Sequence, residues 1–192
     1  MENFVDNPVV EKEPTLTTYV WDLVKVIALS VALVFGIIRP FIAEPYIVSG
    51  LSMFPNFHDK EYLIIEKLSY RFGEIQRGDV VVLRYPKNPK DSYIKRVIAL
   101  PGEKIKFENG RVFVYNLEKP EGFELDEPYL GEHVFTDGSQ VITSIGEGEY
   151  FVLGDNRPHS SDSRAWGVLP EKDVVGKVLL RVLPINRFGI LN

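Results

Sequence analysis

Three stretches of this chain carry side chains of types that do acyl-transfer chemistry. Val48-Ser49-Gly50-Leu51-Ser52-Met53-Phe54-Pro55 sets a serine inside a Gly/Pro turn. Glycine accepts positive φ and proline holds the residue before it extended, so such a turn keeps a hydroxyl exposed and aims nearby N–H groups. A serine in that setting is also an ordinary turn residue. The second stretch, Tyr93-Ile94-Lys95-Arg96-Val97-Ile98-Ala99-Leu100, places two adjacent cations in an apolar strand. Alternation sends Lys95 and Arg96 to opposite faces, with Lys95 on the side of Tyr93, Val97 and Ala99. Both faces are apolar, so at least one cation is pressed against the core. A buried lysine without a carboxylate partner gives up its proton readily, and neutral lysine is a base. The competing reading has both chains snorkelling at a strand edge. The third stretch, Gly154 to Arg164, is dense in hydrogen-bonding groups. It is either a solvated loop or a network in which Asp162, Arg157 and Arg164 leave a serine hydroxyl to orient another group.

The elements that must position these groups are mainly β. After Pro55 come short apolar runs rich in β-branched residues: Tyr62–Lys67, Val80–Tyr85, Tyr93–Leu100, Val112–Tyr115, Tyr150–Leu153 and Val174–Val182. Turn signals separate them, among them Arg77-Gly78-Asp79, Pro86-Lys87-Asn88-Pro89, Pro101-Gly102 and Asn109-Gly110. This pattern predicts an antiparallel β domain, barrel-like or sandwich, over 44–192. Residues 103–147 are more polar and loop-rich, and are expected to form an inserted sub-domain.

The N-terminal part has a different character. Residues 1–18 read as a loose acidic tail and 19–43 as a transmembrane anchor. The uncharged run Val26–Ile38 spans only about 20 Å as a helix, but Lys25 and Arg39 can snorkel, and Leu23 to Ala43 reaches bilayer length. Tyr19 and Trp21 are suited to the membrane interface. A cleaved secretory signal would carry a basic start, whereas residues 1–25 hold two lysines against five acids. Lys25 and Arg39 nearly balance, so the flanking charges leave the orientation open.

Bulk composition narrows the field. A length of 192 residues suits one sizeable domain, and 45% hydrophobic with 26% charged residues excludes wholesale disorder. A net charge of −5 argues against a nucleic-acid partner. The chain has no cysteine, which excludes disulfides, thiol catalysis and cysteine-ligated metal. Its three histidines, His58, His133 and His159, lack metal-ligand spacing.

Taken together, the stretches resemble the type I signal peptidases, membrane-anchored serine proteases that remove signal peptides from exported proteins. Ser52-Met53-Phe54-Pro55 resembles the box S-M-x-P, and Arg77-Gly78-Asp79-Val80-Val81 the box R-G-D-[IV]-V. Tyr93 to Gly102 resembles the lysine box, and Gly154 to Arg164 fits G-D-N-R-x-x-S-x-D-S-R at every fixed position. The four boxes occur in order behind an apolar segment.

The resemblance implies a Ser–Lys dyad, with Ser52 as nucleophile and Lys95 as general base, and no metal or organic cofactor. It implies that Ser160 hydrogen-bonds and orients Lys95, and that Asp155, Arg157, Asp162 and Arg164 hold the last box in shape. Met53, Tyr93 and Ile94 would line the pocket for a small substrate side chain. Gly50 stands where some members carry a serine of the oxyanion hole, so stabilisation would lean on the Ser52 backbone N–H. Asn56-Phe57 in place of Thr-Leu and Glu103 in place of Asp bear on fine substrate preference. The implied fold is mainly β with an insertion between the lysine box and the last box. The implied setting is a single-pass protein of the plasma membrane, N-terminus cytoplasmic and catalytic domain on the outer face. Its partners would be the bilayer and the signal peptides of preproteins, and the chain would act as a monomer. An apolar rim against the bilayer is a further expectation, with Phe54, Phe57 and Trp166 as candidates for rim, core or pocket. Two rivals stand beside this reading: a non-catalytic, membrane-tethered β module that binds extended peptides, and a self-cleaving repressor-type Ser–Lys protease. The latter would need a DNA-binding module, and no helix-turn-helix candidate precedes residue 50.

Overall fold

The computed structural model describes residues 15–68, 70, 73–131, 134–138 and 142–191. Most of the expected N-terminal tail, residues 1–14, lies outside these. Thr15 stands in extended backbone ahead of helix α1, Leu16–Leu33, and the chain continues in a wider π-type winding over Val34–Ile42. Pro40 has no N–H to give to an α-helical bond, and a π winding is one way a helix absorbs that loss. The helix is apolar on all sides and buries none of its residues. Its stretch Leu16–Arg39, with a mean hydropathy of 2.1, is long and apolar enough to cross a membrane.

From Phe41 onward the chain forms a second compact unit. Its larger sheet contains β1 (Ala43–Ile47), β2 (Tyr62–Glu66), β3 (Val80–Tyr85), β4 (Asn88–Ala99), β9 (Glu149–Leu153), β10 (Leu169–Pro170), β11 (Val174–Leu183) and β12 (Gly189–Ile190). The strand order is β1-β2-β11-β3-β4-β9-β10, with β12 also on β11, and every pairing is antiparallel. The sheet curls on itself, for the Tyr46 hydroxyl on β1 donates to the Ser92 carbonyl on β4 at 3.0 Å although three strands separate them. Between β4 and β9 a four-stranded antiparallel sheet is inserted in the order β7-β6-β5-β8, from β5 (Lys104–Glu108), β6 (Arg111–Tyr115), β7 (Phe123–Glu124) and β8 (Thr143–Ser144). The mainly β, antiparallel architecture with one N-terminal apolar helix is the one the sequence predicts.

Local chemistry explains these elements. In β5, Ile105 and Phe107 are buried while Lys104 and Glu108 face outward, the period-two pattern of a half-buried strand. The β5–β6 turn is Asn109-Gly110, both at positive φ (50° and 78°), which suits a two-residue hairpin of right-handed twist. The inserted sheet packs on the larger one through Ile105, Phe107, Val112 and Val114 against Ile98, Ala99, Phe151 and Leu153.

The structure also departs from the sequence reading. β1 follows the π winding directly, at the boundary between the expected anchor and the expected β domain where no strand is placed, and β5 occupies a stretch read as loop-rich. β4 begins at Asn88 rather than Tyr93, so Asn88 and Pro89 belong to a strand and only Pro86-Lys87 turn. Of the three aromatic residues weighed as rim, core or pocket, Phe57 is core, 3% exposed among Val48, Met53, Leu63 and Ile94. Phe54 is exposed and Trp166 half-buried.

Candidate active site

The Ser52 turn is fixed from both sides. Gly50, at φ +87°, donates its N–H to Asp59 Oδ1 at 2.8 Å, and Phe54 and Phe57 close onto the Leu51 and Met53 carbonyls at 3.1 and 2.9 Å. Met53 plugs into the core at 1% exposure, pinning the backbone beside the serine. The polar loop after β9 clamps the same turn. Asn156 donates its N–H to the Ser52 carbonyl and its Nδ2 to the Leu51 carbonyl, each at 3.0 Å. Gly154 makes this approach possible: a Cβ there would lie 2.4 Å from the Ser52 carbonyl oxygen and 2.2 Å from Ser160 Oγ. The Ser52 N–H has no hydrogen-bond partner among the described residues, which leaves a donor beside the hydroxyl.

β4 delivers Lys95 to this turn. Its Nζ donates to Ser52 Oγ and to the Ile94 carbonyl, both at 2.9 Å, and lies 5.2 Å from the centroid of the Tyr93 ring. Lys95 is 3% exposed and has no ion-pair partner among the described residues. Burial drives its pKa down from 10.5 to about 8, against the weaker opposing pull of Asp162 and Asp155. Arg96, next along the strand, is also buried, so neither cation snorkels.

The last box is a set of linked charges rather than one Asp162–Arg157–Arg164 cluster. Asp162 pairs with Arg164 at 2.7 Å, accepts the Gly154 N–H and caps the short helix α2, Ser163–Trp166. Arg157 turns away from Asp162. It is fully buried, pairs with Glu127 and donates to Thr136 Oγ1 and the Gly154 carbonyl. Arg164 reaches it only through the Arg157 carbonyl, at 2.6 Å. Asp155 takes a two-pronged bond from Arg96 at 2.9 and 2.7 Å and a third from Asn56 Nδ2 at 2.8 Å. The Ser160 bond expected to orient Lys95 is not made: Ser160 Oγ is buried with no hydrogen-bond partner. Of the expected pocket residues, Met53 and Ile94 share one core cluster, while Tyr93 packs against another and stacks on Tyr85 at 4.8 Å.

Several residues of this arrangement carry no positioning role in the sequence reading. Asn56 and Asn156 tie the serine turn to the last box, Glu127 neutralises Arg157, and the Tyr129 ring lies 3.9 Å from the Arg96 guanidinium. Asn156 sits inside a quoted motif, so the motif itself was its signal; Glu127 and Tyr129 come from the insertion, where no spacing marks them. Glu103 pairs with Arg77 of the second box at 2.5 Å, and Asp79 of that box with Lys177 at 2.7 Å. Beside the serine turn lies a cleft of about 980 Å³ lined by Phe54, Phe135, Asn156, Ser160 and Arg164 among others. No group of His, Asp or Glu among the described residues is arranged to hold a metal ion.

The chain is similar to known proteins over most of its length. Signal peptidase IB of Staphylococcus aureus is 36% identical over 180 residues, covering 85% of this chain and 90% of its own. Signal peptidase I of Leptolyngbya laminosa is 35% identical over 186 residues, covering 93% of this chain and 87% of its own. A crystal structure of a signal peptidase I from Enterococcus faecalis V583 is 29% identical, with a TM-score of 0.43 over 54% of this chain and 96% of that one. The family described as signal peptidase, peptidase S26, matches residues 20–183. The chain belongs to this family and is a serine endopeptidase.

Proposed function

We propose that the protein cleaves N-terminal signal peptides from exported preproteins with Ser52 as nucleophile and Lys95 as general base. The observation that carries this reading is the 2.9 Å contact between Ser52 Oγ and the Nζ of a buried lysine without a counter-ion. Desolvation makes the neutral amine accessible near neutral pH, and only the neutral amine can accept the serine proton. Oγ then attacks the scissile carbonyl, and the new ammonium returns the proton to the leaving amine. In the second half Lys95 deprotonates a water that opens the acyl-enzyme. The unpartnered Ser52 N–H beside the Gly50 turn is the oxyanion donor. Ser160 Oγ, buried without a partner at rest, accepts from Lys95 once the amine is protonated, while Asp155, Arg157, Asp162 and Arg164 keep the loop that clamps Ser52 in register. Tyr93, Ile94 and Met53 bound a pocket for small side chains one and three residues before the cut.

The helix Leu16–Arg39 serves in this reading as a single membrane anchor, with the N-terminus cytoplasmic and the catalytic unit on the outer face of the plasma membrane. The apolar surface of that helix, none of it buried, supports the anchor, and the orientation follows the family resemblance. The chain acts as a monomer, because nucleophile and base come from one sheet and the loop beside it. The test is purified protein in detergent beside Ser52→Ala, each given a preprotein with a signal peptide, with mass spectrometry locating the cut. Cleavage after a small residue by the wild type alone is the expected result. Equal cleavage by both forms, or by neither beside an active control peptidase, overturns it.

A further inference from the structure

The β3–β4 hairpin projects from the larger sheet and ends in Tyr85-Pro86-Lys87-Asn88. Arg84, Lys87 and Lys90 are all exposed there, and none has an ion-pair partner among the described residues. Two acids lie close: Asp91 accepts from Asn88 Nδ2 at 2.9 Å, and Asp173, next to the Val174 that pairs with Leu83, lies beside Arg84 without an ion pair to it. This cationic tip belongs to a chain of net charge −5, so it runs against the overall sign.

Sheet register fixes where the tip points. Ala43 pairs with Glu66, Glu66 with Lys177, Lys177 with Val81 and Val81 with Lys95, one row across five strands. Four antiparallel pairings make β1 and β4 run in the same direction. Residues before Ala43 and residues before Lys95 therefore lie on the same side of that row. The first group is the chain arriving from the apolar helix; the second is the hairpin. The tip is braced at its first residue, since Tyr85 stacks on Tyr93 at 4.8 Å and meets Trp166 edge-on at 6.1 Å.

We propose that the tip of this hairpin, through Arg84, Lys87 and Lys90, binds the phosphate groups of anionic lipids in the leaflet beside the catalytic unit. The inference rests on the membrane-anchor reading above. Ammonium and guanidinium groups on a braced hairpin, on the side of the sheet where the chain enters it before Ala43, are matched to a phosphate surface by charge and position. Tyr85 is a residue type favoured at that interface.

Because the chain has no cysteine, Pro89→Cys adds a single thiol at the tip for an environment-sensitive fluorophore. The full-length labelled protein is reconstituted into vesicles of phosphatidylcholine alone or mixed with phosphatidylglycerol, and flotation checks anchoring in each. The expected result is flotation with both, and a blue shift with reduced iodide quenching only in the anionic vesicles. That response disappears at about 0.5 M salt, where the Debye length falls below about 5 Å. It weakens roughly five-fold for each cation removed in the series Arg84→Gln, Lys87→Gln, Lys90→Gln. Unchanged preprotein cleavage in detergent by the triple variant shows that the fold is intact. The same response in neutral vesicles, no response in either, or a response surviving in the triple variant overturns the lipid proposal while leaving the anchor standing. Failure to float with either vesicle overturns the anchor reading, and this inference with it.

Discussion

Lys95 and Arg96 are neighbours on one strand, both buried, and treated in opposite ways. Arg96 is given a counter-ion: Asp155 grips its guanidinium with two oxygens, the Gly78 carbonyl takes a third bond at 2.9 Å, and Tyr129 covers its face. Lys95 is given a serine hydroxyl, a backbone carbonyl and the face of a tyrosine ring, but no carboxylate within ion-pair reach among the described residues. Guanidinium stays charged at any pH a protein survives, so burying it requires the partner. An ammonium denied that partner sheds its proton instead. One side of β4 thus holds the sheet to the last loop, and the other keeps a base ready beside Ser52.

Exchanging the two treatments should have the largest effect. Lys95→Arg puts a permanent cation where a base is needed, and preprotein cleavage should fall by about 10⁴-fold or beyond detection. Thermal unfolding of the variant separates this from loss of fold, and retained cleavage would remove Lys95 from the mechanism. On the other side, Asp155→Ala strands a buried guanidinium and leaves Asn56 Nδ2 with the Tyr129 carbonyl as its one acceptor among the described residues. That should cost about 3–5 kcal/mol of stability, measured by urea unfolding; a cost below about 1 kcal/mol would mean that solvent reaches Arg96.

A subtler contrast lies in pH. Lys95 titrates near 8 in the folded protein and near 10.5 in the unfolded chain. Cleavage should therefore rise with pH through about 8 and then level off, as the amine loses its proton. The sign for stability follows from the same shift. Below pH 8 both states hold the proton, and folding carries the full cost of burying a charge. Between 8 and 10.5 the unfolded chain binds more protons, so stability rises, and above 10.5 the penalty is gone. Lys95→Met should thus be more stable than wild type by about 3 kcal/mol below pH 8, an advantage that shrinks as pH climbs to 10.5. Equal stabilities at pH 6 would show that the lysine is solvated.

The Lys95 side of this contrast was legible in the sequence, because strand alternation and an apolar setting are local properties. So were the strands around Val81, Val97 and Val152, whose β-branched runs sit between Gly and Pro turns. The Arg96 side was not. Its partner is 59 residues away, and its aromatic cover, Tyr129, comes from the insertion, so no spacing announces either. β1 was hidden because Ala43 and Pro45 read as the end of the apolar segment, and only pairing with β2 makes that stretch a strand. Arg157 misled for a related reason: Asp162 is nearer in sequence, but Glu127 is the acid that the fold brings to it.

Ser160 supplies the smallest and sharpest test. Its Oγ is buried beside Gly154 without a partner, so truncation to alanine forfeits no hydrogen bond, and unfolding stability should be unchanged or slightly raised. Its value should appear only during the reaction. When Lys95 takes the Ser52 proton it becomes a three-donor ammonium, with the Ile94 carbonyl and Ser52 Oγ accounting for two donors. Ser160 Oγ is a buried oxygen with lone pairs to spare for the third. Losing one such bond to a charged donor should lower kcat by about ten-fold with KM little changed. It should also move the midpoint of the pH profile below about 8, since the charged form of Lys95 loses an acceptor. An unshifted midpoint with wild-type kcat in Ser160→Ala would leave Lys95 positioned by Ile94 and Ser52 alone.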